Sequence, residues 1–440
     1  MTLARDRVIE VLQWQAETFP AMAPASVSTK GLDTRDARLA LAIHRSVLQR
    51  WLTLQHILNH PLRQPFVELE YPLRAILLAG AAQLLFMQRI PAHAVVDDAV
   101  EHAKRRVRAG AASLTNAVLR RVAELVVDRH EQGGWQPAPN MLPWEAGRIE
   151  LAEPLLPDID NVDAHWSIAT SHPLMLIHSW RERFDTDVAN QLFRHSLVNP
   201  PTIVRFSIGD APSTDLATPH RTPGYALWRA THKQMVDWLD ACPHRWVQDT
   251  AAAMPVDATA GTRPQLIVDL CAGRGTKTRQ LAALHPESRI VATETHGDRL
   301  TDLRKAFAHH PRVEVFHARR AASLAGQADL VLLDVPCSNT GVLARRHEAR
   351  YRVDRANLTD LANRQRQIIE QGANLLRRDP QGQPAGTLLY STCSIEPIEN
   401  ERQSRWIAQR FKMSVQREQL ILPGGRNTTY HDGGYFAVMC

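Results

Sequence analysis

At 440 residues the chain exceeds the roughly 100–200 residues that one ordinary core occupies, so it is expected to be modular. With 44% hydrophobic and 22% charged residues, its composition is that of a folded soluble protein and excludes long disorder. The most apolar run, AILLAGAAQLLFM at 75–87, contains Gln83 and falls short of the ~20 residues of a membrane span, and the N-terminus is charged where a secretory signal would be apolar. A buried helix at 75–87, no membrane partner and a cytoplasmic location are therefore expected.

Residues 1–130 show helical periodicity and hardly any strand signal. Ile43, Val47, Leu48, Trp51, Leu54, Ile57 and Leu58 recur at threes and fours, as do Val95, Val96, Ala99, Val100, Ala103 and Val107. The pattern predicts a helical bundle, with Gly110 in the turn before a last helix over Ser113–Val127. This stretch carries 17 Lys and Arg against 12 Asp and Glu, most of the chain's net +6. Lys104, Arg105, Arg106 and Arg108 end one helix and Arg120 lies on the next, a basic face suited to a polyanion or simply to water.

Residues 131–158, rich in Pro, Gly, Trp and Asn, read as a linker. Residues 159–250 read as a small α+β module, with a helix over Leu174–Leu197 and a short strand over Thr202–Phe206. From 251 to 440 strands alternate with helices, the pattern of a parallel doubly wound sheet. Strands are predicted at Gln265–Leu270, Arg289–Thr293, Val313–His317, Asp329–Asp334 and Gly386–Ser391, with a helix over Leu358–Arg377. Two β-like runs follow, around Val415 and over Tyr435–Met439.

The first of these strands runs into Cys271-Ala272-Gly273-Arg274-Gly275-Thr276-Lys277-Thr278, a glycine-bearing turn that opens a helix at the carboxyl edge of the sheet, where open α/β folds bind nucleotides. The third glycine of a dinucleotide fingerprint is missing. Glu294, ending the second strand, is placed to accept hydrogen bonds from both ribose hydroxyls of an adenosine moiety.

Five widely spaced cysteines make neither a disulfide framework nor a CxxC metal pair, so free thiols and no metal are expected. Two of them, Cys337 after Asp334-Val335-Pro336 and Cys393 in Tyr390-Ser391-Thr392-Cys393-Ser394, arrive just beyond adjacent strand ends, which packing alone does not explain. Carbon 5 of cytosine is too weak a nucleophile to accept a methyl group unaided, and a thiolate adding at carbon 6 makes it enamine-like. A carboxyl with a raised pKa can meet the charge that then develops at ring nitrogen 3, and Asp334 fits that part.

These motifs resemble those of the two-cysteine RNA cytosine-5 methyltransferases, and specifically the bacterial 16S ribosomal RNA enzymes of the B type. The family's first motif corresponds to Asp269–Thr278, its fourth to Asp334–Gly341 and its sixth to Tyr390–Ser394, followed by Glu399-Asn400-Glu401. Residues 1–130 resemble the NusB fold. The resemblance implies an all-α NusB-like domain, a small α+β RNA-contacting module and a Rossmann-like methyltransferase domain using S-adenosylmethionine. It also implies Cys393 as the nucleophile on carbon 6, Cys337 as its partner in product release and Asp334 on the base edge. The cofactor would meet Cys271, Ala272, Gly273, Arg274, Gly275, Thr276, Lys277, Glu294 and Asp334.

Small-subunit ribosomal RNA, presenting a single-stranded or loop cytosine to a monomeric enzyme, is the expected partner. Lys104, Arg105, Arg106, Arg108 and Arg120 would bind it, and a second basic run, Arg345, Arg346, Arg350, Arg352 and Arg355, would guide the strand carrying the target base. Arg274 and Thr276 stand where the family has proline and glycine, and His317-Ala318-Arg319-Arg320 where it often has an acidic residue near the adenine. Those departures motivate an alternative, a catalytically inactive RNA-binding or ribosome-assembly protein that keeps the fold.

Overall fold

A computed structural model describes residues 3–145, 147–207 and 209–440. The chain forms two compact units, one built from residues up to Asn199 together with Leu343–Asp354, the other from Pro200–Val342 and Arg355–Cys440.

In the first unit α1 (Leu3–Thr18), α2 (Thr34–Asn59), α3 (Tyr71–Phe86), α4 (Ala92–Arg106) and α5 (Ala109–Glu124) form the expected bundle. The apolar run at 75–87 is the buried helix α3, apolar on all sides because it sits inside the bundle. Three expectations fail. The last helix ends at Glu124 instead of Val127, and Gly110 lies in its first turn. The residues read as a linker fold into an antiparallel sheet of β1 (Val126–His130), β2 (Met141–Trp144) and β3 (Gly147–Leu151), in the order β1-β3-β2. These strands of four or five residues carry Pro, Gly and charge, so their alternation is faint, and they are held by pairing between distant segments: a Cβ on Gly147 would stand 1.7 Å from the His130 carbonyl oxygen. Third, Leu174–Leu197 is two helices. After α6 (Val162–Thr170) come α7 (Leu174–Arg183) and α8 (Thr186–His195), separated where the Asp185 side chain accepts from the Val188 amide at 2.9 Å and starts a new helix.

The module read over 159–250 is therefore divided between the units. Its second half, in the second unit, is a small sheet of β4 (Ile203–Arg205), β5 (Ala217–Pro219), β6 (Tyr225–Trp228) and β7 (Trp246–Val247) with α9 (His232–Asp240) between β6 and β7.

The rest of the second unit comprises α10 (Thr250–Asp257), β8 (Leu266–Asp269), α11 (Thr276–Leu284), β9 (Arg289–Glu294), α12 (Gly297–Ala306), β10 (Val313–His317), β11 (Leu330–Asp334), α13 (Arg355–Leu375), β12 (Thr387–Thr392), α14 (Glu401–Phe411), β13 (Val415–Ile421) and β14 (Gly434–Met439). Its sheet runs β10-β9-β8-β11-β12-β14-β13, parallel through the first five and antiparallel at β14 and β13. Successive residues of the central strands feed opposite cores. Val268, Val331, Leu333 and Tyr390 pack with Ile369 of α13 and Ile407 of α14, whereas Ile267, Leu330, Leu332 and Leu389 pack with Val256, Leu281 and Leu303 of α10–α12. Burial on both faces is why these strands read as apolar runs. The strand order reverses between β8 and β11, which opens the crevice at their carboxyl ends. Among the described residues, no helix is long and apolar enough to cross a membrane.

Candidate active site

The glycine turn after β8 is shaped by two left-handed residues, Gly273 (φ +57°) and Gly275 (φ +86°). A Cβ on Gly275 would stand 2.5 Å from the Phe307 ring and 2.7 Å from Leu303, so that glycine lets the start of α11 close on α12; one on Gly273 would meet nothing within 4 Å. The two departures from the family pattern are harmless to this backbone. Thr276 is the first residue of α11, and neither it nor Arg274 has a positive φ. The Arg274 side chain is largely exposed and lies 3.6 Å from Asp302 of α12.

Beneath the turn, the fully buried Asp269 accepts from the Thr278 hydroxyl at 2.6 Å, and its other oxygen, Oδ1, is buried without a partner of good geometry. Burial, with the Asp334 charge adding to it, lifts Asp269 to about 7 against the pull of Thr278 and Lys277. Burial likewise pushes the Cys271 thiol up. Glu294, 7% exposed at the end of β9, uses Oε1 to accept from the Thr295 amide at 2.6 Å and the His296 amide at 2.9 Å. These bonds fix its carboxylate at the crevice. An open glycine turn and an anchored acid at the second strand end fit a nucleoside cofactor.

The sulfurs of Cys337 and Cys393 stand 3.2 Å apart, brought together because β11 and β12 are parallel neighbours in register, with Asp334 opposite Ser391. Below them, Lys277 Nζ lies 2.7 Å from Asp334 Oδ2, and the Ser391 hydroxyl donates to Asp334 Oδ1 at 3.0 Å. Burial works against the Lys277 ammonium, but Asp334 and then the Cys393 sulfur outweigh it and raise its pKa. Cys337 is pushed well above the usual thiol range by its hydrogen bond to Cys393, by burial and by the neighbouring Cys393 and Glu399 groups. Asp334 is thus one half of an ion pair, and the carboxyl whose proton affinity burial lifts is Asp269.

Residues that sequence reasoning left without a role hold both cysteine loops. Glu399, wholly buried, accepts from the Ser338 amide at 2.9 Å, the Ser338 hydroxyl at 2.5 Å and the Gln365 carboxamide at 2.9 Å. The Gly341 amide donates to the Cys393 carbonyl at 2.9 Å, and a Cβ there would strike the backbone of Gly433. Asn339, at φ +63°, reaches both cysteines. Asparagine in a loop is an ordinary turn signal, so only the folded contacts distinguish it.

The basic residues separate into different groups. Arg105 and Arg106 are tied to Asp6 at 2.8 Å, Lys104 to Glu101 at 2.5 Å and Arg108 to Glu70 at 3.2 Å, while Arg120 donates to Asn116. Arg345, Arg346 and Arg355 are exposed. Arg350 corrects the expectation for its run: it is fully buried in the first unit, donating to the Thr170 and Ser196 carbonyls at 3.2 Å. Arg352 donates to the Met22 carbonyl. Their alternation with apolar Ala349, Tyr351 and Val353 makes this segment an anchor, with Tyr351 donating to the Leu48 carbonyl at 2.8 Å.

Residues 259–428 match the family model for the 16S rRNA methyltransferase RsmB/F, and residues 6–124 that of the NusB family. Ribosomal RNA small subunit methyltransferase B of Erwinia tasmaniensis is 27% identical over 98% of this chain and 96% of that protein, and its Vibrio cholerae counterpart 28% identical over 92% and 89%. The crystal structure of PH0851 shares the fold with a TM-score of 0.69 at 18% identity, covering 99% of this chain and 98% of that one. A methyltransferase homolog protein from Pyrococcus horikoshii aligns with a TM-score of 0.50 at 18% identity over 62% of this chain and 97% of its own. The likeness to the NusB family thus lies in residues 6–124 and the likeness to the RsmB/F family of 16S rRNA methyltransferases in residues 259–428.

Proposed function

We propose that the protein methylates carbon 5 of a cytosine in 16S ribosomal RNA, in the cytoplasm and as a monomer, with Cys393 as nucleophile and Cys337 as its partner. The observation that carries this reading is the pair of sulfurs 3.2 Å apart beside the Lys277–Asp334 ion pair. When bound, S-adenosylmethionine supplies the methyl group. The turn at Gly273–Thr276 and the Glu294 carboxylate would hold it.

Cys393 gives up its proton to solvent and forms a sulfur–carbon bond at carbon 6, and the electron pair of the 5,6 double bond moves into the ring. Asp334 and Lys277 together meet the charge that gathers at nitrogen 3, the carboxylate orienting the ammonium beside it. After carbon 5 is methylated its proton leaves to a water that Cys337 positions, the 5,6 double bond re-forms and the bond to Cys393 breaks, returning the Cys393 sulfur as a thiolate. A target base must leave its stack, at a cost of about a few kcal/mol that is smallest in loops, so a single-stranded or loop cytosine is the substrate. Arg345 and Arg346 serve its strand, and the Lys104–Arg108 face and Arg120 bind RNA more generally.

The test incubates the protein with S-adenosylmethionine and unmodified 16S ribosomal RNA and quantifies 5-methylcytidine in the digested product, with bisulfite sequencing to locate it. Cofactor binding without any 5-methylcytidine on free RNA or assembling subunits would establish the inactive RNA-binding alternative instead.

A further inference from the structure

Asn339 occupies a left-handed backbone position (φ +63°) that glycine fills most easily, so the side chain there calls for a reason. Its carboxamide bridges the two cysteines: Nδ2 donates to the Cys337 carbonyl at 2.8 Å, and Oδ1 lies 3.1 Å from Cys393 Sγ. The orientation of the amide is fixed by chemistry. A backbone carbonyl can only accept, so the NH2 group must face Cys337 and the oxygen must face the sulfur. Towards a thiol that oxygen is a hydrogen-bond acceptor; towards a thiolate it is a repulsive dipole.

We infer that Asn339 is a positioning residue that aims the Cys393 thiol by accepting its hydrogen bond until a base enters the site. The inference rests on reading Cys393 as the attacking thiol. In the resting site Cys337 donates to Cys393, Cys393 donates to Asn339, and Asn339 donates back to the Cys337 backbone, a closed ring of three hydrogen bonds. Ionising Cys393 breaks one of them. The other charged and titratable groups acting on this sulfur are Cys337 at 3.2 Å and the Lys277 ammonium, itself paired with Asp334, while Glu399 acts on Cys337.

The experiment measures alkylation of Cys393 by iodoacetamide in the full-length protein as a function of pH, resolved by peptide mass spectrometry. Asn339→Gly keeps the backbone conformation and removes the acceptor, so the midpoint is expected to fall by about half a unit to one unit, the worth of one neutral hydrogen bond. Asn339→Asp puts a stronger, charged acceptor in the same place, so the midpoint is expected to rise by about a unit or more. An Asn339→Gly midpoint that is unmoved or higher overturns the inference, whether or not the aspartate variant folds. Because alkylation reads the thiol without RNA or cofactor, this outcome is separable from any failure of the methyl-transfer reading.

Discussion

Glu399 and Asn400 are neighbours in the chain, and each holds one of the two cysteine loops. Glu399 binds the amide and hydroxyl of Ser338, next to Cys337, whereas Asn400 accepts from Thr392 at 2.6 Å and donates to the Ser394 carbonyl at 2.9 Å, either side of Cys393. The 3.2 Å sulfur separation thus depends on one short stretch of buried polar backbone and side chain.

Glu399→Ala leaves the Ser338 amide without its acceptor and should lower methyl transfer by about 10²-fold or more through kcat, since small displacements of reacting groups are costly. Affinity for S-adenosylmethionine should change little, because the glycine turn and Glu294 are held independently. Calorimetry beside turnover measurements checks this, and an equal loss of cofactor affinity would show that Glu399 supports the whole crevice.

The cysteines should separate in a denaturing gel. Cys393→Ser should neither methylate nor form a covalent RNA complex, because a serine hydroxyl is hardly ionised near neutral pH. Cys337→Ser should still attack and methylate but stall before elimination, accumulating a protein–RNA species that survives denaturation. Accumulation with Cys393→Ser instead would reverse the two roles.

Asp269 predicts a pH dependence of stability. A carboxyl that holds its proton more tightly folded (about 7) than unfolded (about 3.9) makes the folded state bind more protons, so stability falls as pH rises across that window. The loss is complete above pH 7 and amounts to at most about 4 kcal/mol. Asp269→Asn keeps an acceptor for Thr278 and removes the titration. In thermal unfolding without cofactor, the wild type should lose more stability between pH 5 and pH 8 than this variant; parallel curves would show that Asp269 does not titrate there.

Arg350 and its exposed neighbours should behave oppositely. Arg350→Met strands buried carbonyls of Thr170 and Ser196 and should destabilise the protein by about 2 kcal/mol with little effect on the RNA KM. Arg345→Glu with Arg346→Glu should raise the RNA KM and its salt sensitivity while leaving the urea midpoint in place. The tied cations make a weaker case, since phosphates must compete with Asp6, Glu10 and Glu70 for Arg105, Arg106 and Arg108. Charge reversal at Lys104, Arg105 and Arg106 that leaves RNA affinity and its salt slope unchanged would make that face structural.

What could be read from the chain was local or periodic. The central strands announced themselves because burial on both faces makes them apolar throughout, and the bundle because its helices repeat at three and four residues. The cysteines, Asp334 and the glycine turn were legible because their chemistry is tied to strand ends, where one residue more or less would remove them from the crevice. Tertiary structure alone decided the rest. The sheet at 126–151 exists through pairing between segments with weak patterns of their own. Arg350 looked like an RNA contact because an arginine run carries no mark of burial; its carbonyl partners lie more than 150 positions away. Lys277 turned out to be paired with Asp334, and Asn339 to join the two thiols, because hydrogen bonds between loops depend on distances that only the folded sheet sets.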